Sequence, residues 1–334
     1  MIVGFLPLHS ILRPSSRYRL FQYIPALEQN GIRCSVLPAP ERNFLQRAGY
    51  LPRLFALARA ADVLFVQKRA FPTWVVRLLC RLNQRLVYDF DDAVYLQSGR
   101  RGVVEPIIRV AKVVIAGNEV LAAFARQFNP RVVVIPSVVD STLYCPPSGA
   151  RHPGDERVIL GWIGSDPNRG DLAPLQPLFD WLGANYGEKI VLQTIGRRPL
   201  ELKSSRGTVV PMRIEFIPWS LEGSRLALQK FDIGLMPLAD TEWNRGKCGF
   251  KLIQYMSVAA PSVASPVGVN TVILQDGVSG FLATSFDDWR QKLSALIEHP
   301  TLRQQMGQAG RLRVEESYSL RAVLPTFLRM LHSV

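Results

Sequence analysis

Paired cysteines and long apolar runs are what this sequence lacks. Its four cysteines include no C-x-x-C pair, which excludes a zinc ribbon and a dense disulfide framework and favours a reducing cytoplasm. No stretch of about 18 apolar residues occurs, so no transmembrane helix is expected. The apolar residues 1–10 lack a basic n-region, and we therefore predict a buried strand there instead of a signal peptide.

Two nucleotide-binding signatures and a metal-ligand pattern are also missing. No G-x-G-x-x-G follows a candidate strand, which disfavours a dinucleotide-dependent oxidoreductase. No G-x-x-x-x-G-K-[ST] occurs, which disfavours a P-loop ATPase. Because the acidic and histidine residues show no clear metal-ligand spacing, neither a metal nor a cofactor is expected.

Positive charge is present in excess, with a net charge of +13. Residues 1–150 hold 19 Lys and Arg against 9 Asp and Glu, whereas residues 151–334 hold 21 against 18. A local excess predicts an anionic partner: nucleic acid, an acidic membrane surface or a phosphorylated substrate. No zinc knuckle or basic aromatic motif supports nucleic acid, so we expect no nucleic-acid partner.

A basic stripe is predicted in residues 71–86. Arg77, Arg81 and Arg85 recur every four residues beside apolar side chains, which indicates a helix with an arginine stripe and an apolar face. Such a helix fits peripheral contact with an anionic membrane. It fits equally a crossover helix that packs on a sheet and leaves its arginines in water.

Short β-branched runs alternate with helical patterns along the chain. This alternation predicts an α/β protein with parallel sheets that are buried on both faces. The candidate strands are residues 2–6, 33–37, 63–67, 86–90, 113–116, 132–135, 158–163, 190–195, 214–217, 233–236 and 262–264.

A segment rich in proline and glycine separates two similar halves of the chain. We expect a first domain at 1–145, a linker at 146–156 and a second domain at 157–318. For the remaining residues, 319–334, we predict a helix that packs on the second domain or crosses back to the first. Two facing sheets of this kind would form a ligand cleft at the carboxyl ends of their strands.

The loop after the first strand is a candidate binding loop. Ser15, Ser16 and Arg17 lie where a helix is predicted to begin, and the amino end of a helix can hold a phosphate or a sugar hydroxyl. The alternative is an ordinary serine cap beside a solvated arginine.

A carboxylate cluster follows the strand at 86–90. Asp89, Asp91 and Asp92 could bind a metal or orient an acceptor hydroxyl. They could also only cap a helix and form ion pairs with Lys68 or Arg69.

Residues 239–270 are the most informative segment. A glycine-containing loop leads into a helix predicted at 250–259, which Pro261 terminates. Lys247 and Lys251 bracket the helix start and favour a pyrophosphate there, with Gln254 one turn further on, within reach of a ribose. The alternative is a packed helix with incidental lysines.

This segment resembles family-4 retaining glycosyltransferases, whose hallmark is the pattern E-G-F-G-x-x-x-x-E-A-M-A-x-G-x-P-V-V-A-S. Its second half is matched by QYMSVAAPSVAS, residues 254–265. Weaker matches are SSRYRLFQYIPALEQNGI, VIPSVVDSTLY, DGVSGFLA and LRQQMGQAGRLRVEESYS, which occur in the family's order. The resemblance implies the GT-B fold, in which two Rossmann-like domains place their parallel sheets on either side of a cleft.

The resemblance also assigns roles to residues. The family's second Glu, which holds the nucleotide ribose, corresponds to Gln254. Its first Glu, which contacts the donor sugar, corresponds to Gly246 in ungapped register, with Glu242 as a substitute. The family's phosphate-binding Arg and Lys correspond to Ser165 and Arg169.

The sequence therefore predicts a metal-independent retaining glycosyltransferase with a nucleoside-diphosphate sugar as co-substrate. Its acceptor would be a glycan or a lipid-linked sugar of cell-surface polysaccharide synthesis, in the cytoplasm or at the inner face of the plasma membrane. Alternatives are a nucleotide-sugar epimerase, a non-catalytic GT-B subunit and a basic nucleic-acid-binding protein. The expected catalytic residues are Lys247, Lys251 and Glu242; the donor-binding residues are Ser165, Arg169, Cys248, Gly249, Phe250 and Gln254; the acceptor-binding residues are Ser15, Ser16, Arg17, Asp91 and Asp92.

Overall fold

The computed structural model describes residues 1–40, 49–97, 99, 101–149, 156–200 and 212–334. The chain divides into two compact units. Unit 1 comprises Met1–Val138, Arg245–Cys248 and Leu320–Val334, and unit 2 comprises Val139–Asn244 and Gly249–Ser319. The linker expected at 146–156 stays a prediction, and its residues 150–155 lie outside the described residues.

Unit 1 contains a six-stranded sheet of order β2-β1-β3-β4-β5-β6, in which all neighbouring strands are parallel. Strands β3 and β4 are buried along their whole length, which explains why they are mostly apolar, with Gln67 and Asp89 as buried polar exceptions. The strands are β1 (Ile2–Leu6), β2 (Arg33–Val36), β3 (Val63–Gln67), β4 (Leu86–Phe90), β5 (Val113–Ala116) and β6 (Val132–Val134). The helices between them are α1 (Pro14–Arg19), α2 (Ile24–Gln29), α3 (Tyr50–Ala60), α4 (Thr73–Leu82), α5 (Arg101–Val110) and α6 (Glu119–Arg126).

Unit 2 contains a second six-stranded parallel sheet, of order β12-β11-β10-β7-β8-β9. Its strands are β7 (Val158–Ile163), β8 (Ile190–Gly196), β9 (Arg213–Pro218), β10 (Ile233–Met236), β11 (Ser262–Ala264) and β12 (Gly280–Leu282). The helices in this part of the chain are α7 (Gln176–Tyr186), α8 (Leu221–Leu228), α9 (Glu242–Arg245), α10 (Phe250–Ser257), α11 (Asn270–Ile273), α12 (Phe286–Glu298) and α13 (Pro300–Arg313).

The carboxyl-terminal residues form helix α14 (Leu320–Ser333), which belongs to unit 1. Its apolar face packs into the core of that unit, where Phe327 stacks on Tyr23 with ring centroids 4.4 Å apart. A π-helical turn, Val314–Tyr318, precedes it.

Each of the eleven predicted strands is present, with ends that differ by one residue at most. Strand β12 was not predicted, because its sequence begins with a glycine and has no β-branched residue to mark it. The helix predicted at 250–259 ends two residues earlier, at Ser257.

The predicted arginine stripe was wrong for Arg85, which lies beyond the end of α4. The buried Asn83 ends the helix, because its amide donates to the carbonyl oxygens of Ala58 and Ala61 while its side-chain oxygen accepts from the Arg85 N–H. Val75, Val76 and Leu79 of α4 are buried in unit 1, as a crossover helix requires, whereas Trp74 is 57% exposed. None of the helices within the described ranges combines the length and the apolar character needed to span a membrane.

Strand order locates a switch point in each sheet, where successive crossovers leave in opposite directions. In unit 1 it lies between β1 and β3, and in unit 2 between β7 and β10. Ligands of open parallel sheets bind outside the carboxyl ends of the strands at such points. The loops after these four strands are therefore where a site is expected.

Candidate functional site

Gln67 organises the switch point of unit 1. Its buried side-chain oxygen accepts from Ser16 Oγ at 2.8 Å and from the Leu8 N–H at 3.1 Å, and its amide donates to Ser15 Oγ at 2.9 Å. Ser15 Oγ in turn donates to Asp91 Oδ1 at 2.8 Å. The structure thus brings together three of the predicted acceptor residues, Ser15, Ser16 and Asp91, through a glutamine that sequence reasoning missed.

The guanidinium of Arg17 holds the loop after β1. Its Nε donates to the carbonyl oxygen of Ile11 at 2.9 Å and its Nη2 to that of Leu12 at 3.0 Å. Arg17 is buried and also packs against the ring of Tyr18. Its role as an acceptor ligand stays a prediction, because these two bonds orient the guanidinium towards the loop itself.

Buried cations pair with the carboxylates at the carboxyl end of β4 and just after it. Arg19 forms a bidentate ion pair with Asp89, and Lys68 pairs with Asp91 at 2.9 Å and with Asp92. Burial alone would lower the pKa of Lys68, but the two facing carboxylates raise it above its ordinary value. The sequence left Lys68 and Arg69 as possible partners of these aspartates, and Lys68 is the one that forms the ion pairs.

The three carboxylates consequently form an ion-pair network. Within the described ranges, no group of three or more His, Cys, Asp or Glu side chains is arranged to hold a metal ion. Burial raises the pKa of Asp92 above its ordinary value, although Lys68 and, more weakly, Lys247 oppose that change. Asp92 keeps about a third of its side-chain surface exposed, so it is the carboxylate of this network that a ligand can reach.

Residues 245–248 pack on unit 1. Asn118 caps α6, and its amide donates to the carbonyl oxygens of Gly246 at 3.0 Å and Lys247 at 3.2 Å. The thiol of Cys248 donates to the Asp91 carbonyl oxygen at 3.1 Å, and burial raises the pKa of that thiol. Sequence reasoning placed Lys247 and Cys248 with the donor site, whereas the structure groups them with unit 1.

Gly246 has no space for a side chain. A Cβ atom built there would lie 2.7 Å from Cβ of Ala93. A glutamate at this position, as the family pattern has it, does not fit this packing. The proposed substitute, Glu242, begins α9 and is exposed.

Gly249 sets the start of α10 in unit 2. Its φ of 61° is left-handed, and a Cβ atom there would lie 2.4 Å from Cδ1 of Ile273. No side chain among the described residues caps this helix, so its first backbone N–H groups point to the switch point of unit 2 without a serine or aspartate in front of them. Phe250 begins the helix and is partly exposed.

Lys251 lies in the first turn of α10 and is a largely buried cation of this site. Its Nζ is 3.1 Å from Oδ2 of Asp171 and 4.6 Å from the ring centroid of Trp162. The lysine and aspartate side chains are 11% and 13% exposed. Sequence reasoning missed Asp171, which lies 80 residues away in a 3₁₀ segment, Asp166–Leu175, after β7.

The other predicted donor residues surround the same switch point. Ser165 precedes the 3₁₀ segment, and its Oγ accepts from the Asn168 amide at 3.3 Å. Arg169 donates to the Pro199 carbonyl oxygen. Gln254 is buried one turn after Lys251, and the next residue, Tyr255, fixes the helix by bonding to β7 and β10.

Two Rossmann-like units, each with six parallel strands, give the chain the GT-B fold. Residues 181–299 match the family model "Glycosyl transferases group 1". No curated protein sequence gives a match to the chain.

Solved structures of glycosyltransferases superpose over the full chain. Sucrose-phosphate synthase from Thermosynechococcus elongatus has a TM-score of 0.73 at 14% identity and covers 100% of this chain and 99% of its own. HepE from Anabaena, solved with UDP and glucose, has a TM-score of 0.74 at 15% identity and covers 100% of both chains. WaaG, a glycosyltransferase involved in lipopolysaccharide biosynthesis, has a TM-score of 0.67 at 11% identity and covers 99% of both.

Proposed function

We propose that this protein is a retaining glycosyltransferase. It would transfer a sugar from a nucleoside-diphosphate sugar to a glycan or lipid-linked acceptor of cell-surface polysaccharide synthesis, without a metal. The observation that carries the proposal is the largely buried amine of Lys251 at the amino end of α10, at the switch point of unit 2. The match of residues 181–299 and the UDP in the HepE structure support a nucleotide-sugar donor.

The chemistry needs stabilisation of the leaving diphosphate. As the bond from the anomeric carbon to the diphosphate breaks, negative charge develops on the phosphate oxygens. Lys251 and the amino end of α10 stabilise that charge in a partly buried site, and Arg169 adds a further cation. In this proposal the incoming diphosphate replaces Asp171 as the partner of Lys251.

The acceptor would bind at the switch point of unit 1. Its hydroxyl would lie near Asp92 and Ser15, whose positions Lys68 and Gln67 fix. The hydroxyl oxygen forms the new bond on the face that the diphosphate leaves, and its proton passes to the leaving phosphate. Retention then requires no nucleophile from the protein.

A thermal-shift screen across UDP-, GDP-, ADP- and dTDP-sugars tests donor binding, because a ligand that binds only the native state raises its melting temperature. We expect one nucleotide class to stabilise the protein and the anomeric configuration of the product, read by NMR, to match that of the donor. No stabilisation by any nucleotide sugar would refute the proposal.

Lys251→Ala tests the site itself. We expect turnover to fall by about a hundredfold or more, as when one transition-state donor is lost, with far-UV circular dichroism unchanged. Lys230→Ala, at an exposed lysine of the same unit, is the matched control and should keep its turnover. Equal rates in the two variants would show that the amine of Lys251 does not act on the diphosphate.

The packing at Gly246 favours a second candidate, a nucleotide-sugar epimerase or a non-catalytic GT-B subunit. A sugar-contacting glutamate at this position has no space, so the donor sugar loses the contact that the family uses. Incubation of the donor without acceptor distinguishes the candidates. A changed sugar on the nucleotide indicates an epimerase, and binding without turnover of any kind indicates a subunit.

Peripheral contact of unit 1 with an anionic membrane is a further part of the proposal. It is supported by the exposed Trp74, Arg77 and Arg81 on α4. Co-sedimentation with vesicles containing phosphatidylglycerol should weaken in a Trp74→Ala/Arg77→Gln variant. Binding to neutral vesicles that equals binding to anionic ones would contradict this contact.

A further inference from the structure

Four buried cations lie at the switch point of unit 1 and in the loops beside it: Arg17, Arg19, Lys68 and Arg69. Arg17 donates to two carbonyl oxygens, Arg19 pairs with Asp89, and Lys68 pairs with two aspartates. Within the described residues, Arg69 has no carboxylate and no carbonyl oxygen as a partner.

Arg69 is held by two aromatic rings. Its Cζ lies 4.9 Å from the ring centroid of Tyr50 and 4.7 Å from that of Phe71, and its Nη1 donates to the Tyr50 hydroxyl. A guanidinium has five N–H donors in a planar fork, so most of this donor capacity is unused by the described residues. The rings fix the plane of that fork.

Burial of the charged Arg69 guanidinium is energetically unfavourable. The Arg69 side chain is 8% exposed, and burial lowers its pKa. Contact with two rings recovers part of this cost, but a buried ion without a counter-ion stays unfavourable. None of the three nearby aspartates is paired with Arg69, because each of them contacts Arg19 or Lys68 instead.

The backbone places Arg69 where ligands bind. It follows β3 by two residues, on the strand that borders β1 at the switch point. Lys68 before it has a φ of 57°, which is strained for a lysine, and its N–H donates to the Asp89 carbonyl oxygen. The loop then enters α4, whose first turn has Pro72 in front of it and no side-chain cap among the described residues.

We propose that Arg69 is an oxyanion receptor, which binds a phosphate or carboxylate group of the acceptor. The planar fork between two rings suits bidentate recognition of either group, and the bound anion would supply the counter-ion that Arg69 lacks among the described residues. Only the assignment of the anion to the acceptor rests on the proposed function; the binding itself does not.

The test measures anion binding to the full-length chain without any donor. Calorimetric titration with inorganic phosphate and, separately, with glucuronate compares Arg69→Gln with the parent, both in a Lys251→Ala background that removes phosphate binding at α10. We expect Arg69→Gln to weaken the preferred anion by about tenfold or more. The anion that binds more tightly identifies the acceptor group as phosphate or uronate.

Arg59→Gln is the matched control, since Arg59 is an exposed arginine on α3, the helix that carries Tyr50. It should bind within about twofold of the parent, as expected for a solvated charge. Arg69→Lys keeps the positive charge but lacks the planar fork of N–H donors. It replaces Arg69→Gln in the test if the glutamine variant does not fold, and it should also bind the anion about tenfold more weakly than the parent.

Equal affinities for the parent and the Arg69 variants, or no binding of either anion to the parent, would overturn the inference. Anion binding that depends on Arg69 in a protein without transferase activity would uphold the inference and remove the proposed function. Transferase activity with an unaltered KM for the acceptor in Arg69→Lys would uphold the proposed function and overturn the assignment of Arg69 to the acceptor.

Discussion

Replacement of Gly249 by alanine tests how the start of α10 is built. Gly249 has a left-handed φ of 61°, and its absent side chain leaves space for Cδ1 of Ile273, which a Cβ atom would approach to 2.4 Å. The substitution therefore introduces two separate penalties, one in the backbone and one in the packing.

Both penalties can be estimated. An alanine held in the left-handed region costs about 1–2 kcal/mol. Forcing an extra methyl group into a packed core costs about 1–3 kcal/mol. We expect Gly249→Ala to reduce the free energy of unfolding by about 2–5 kcal/mol, a large part of the stability of an ordinary domain.

Ile273→Val separates the two penalties, because it deletes the atom that the new methyl group would meet. Ile273 is 3% exposed, so the valine variant alone should cost about 0.5–1.5 kcal/mol. In the double variant the packing penalty is relieved and the backbone penalty stays, so we expect a coupling of about 1–2 kcal/mol.

Denaturant unfolding of the four proteins in this cycle provides the measurement, with donor affinity as a second readout. The affinity should fall in Gly249→Ala, since the displaced amino end of α10 no longer points its N–H groups in the same direction. Strictly additive losses, or a Gly249→Ala variant as stable as the parent, would refute the reasoning.

Asp171→Asn should tighten donor binding by about threefold to tenfold, because the diphosphate then no longer competes with a carboxylate for Lys251. Weaker binding of the donor, measured by calorimetry, would contradict the proposed exchange of partners. Gly246→Ala should cost about 1–3 kcal/mol against Ala93, whereas Gly102→Ala, where nothing lies within 4 Å, should not destabilise; equal melting temperatures would contradict the packing. Burial raises the pKa of Cys34 from 9.0 to about 11. The thiol therefore stabilises the fold below pH 9 and loses this effect as the pH rises towards 11, so Cys34→Ser should flatten that decline in unfolding titrations, and parallel curves would argue against it.

The sheets could be predicted because strands buried on both faces are apolar along their length. β7 shows this pattern along its whole length and β3 shows it up to Gln67 at its end, so their sequences alone indicate where they begin and end. The start of α10 was also predicted, because its apolar helical pattern begins directly after a glycine-containing loop.

The partners of the site residues could not be predicted, because they are contacts between distant positions. Asn118 bonds to Gly246 across 128 residues, and Lys251 pairs with Asp171 across 80. Local periodicity carries no information about such pairs. For the same reason the sequence indicated that Arg17 was positioned for a ligand but not that two carbonyl oxygens engage it.

The bidentate pair of Arg19 and Asp89 has a consequence for how this protein can change over generations. Both side chains are almost fully buried, so loss of either one alone leaves an uncompensated charge and costs about 3–5 kcal/mol. A lineage that replaces one partner first passes through a protein that folds poorly, even where an apolar pair would be as stable as the ionic one. The two positions are therefore expected to change together, and a descendant that has replaced only one of them should carry a compensating change nearby.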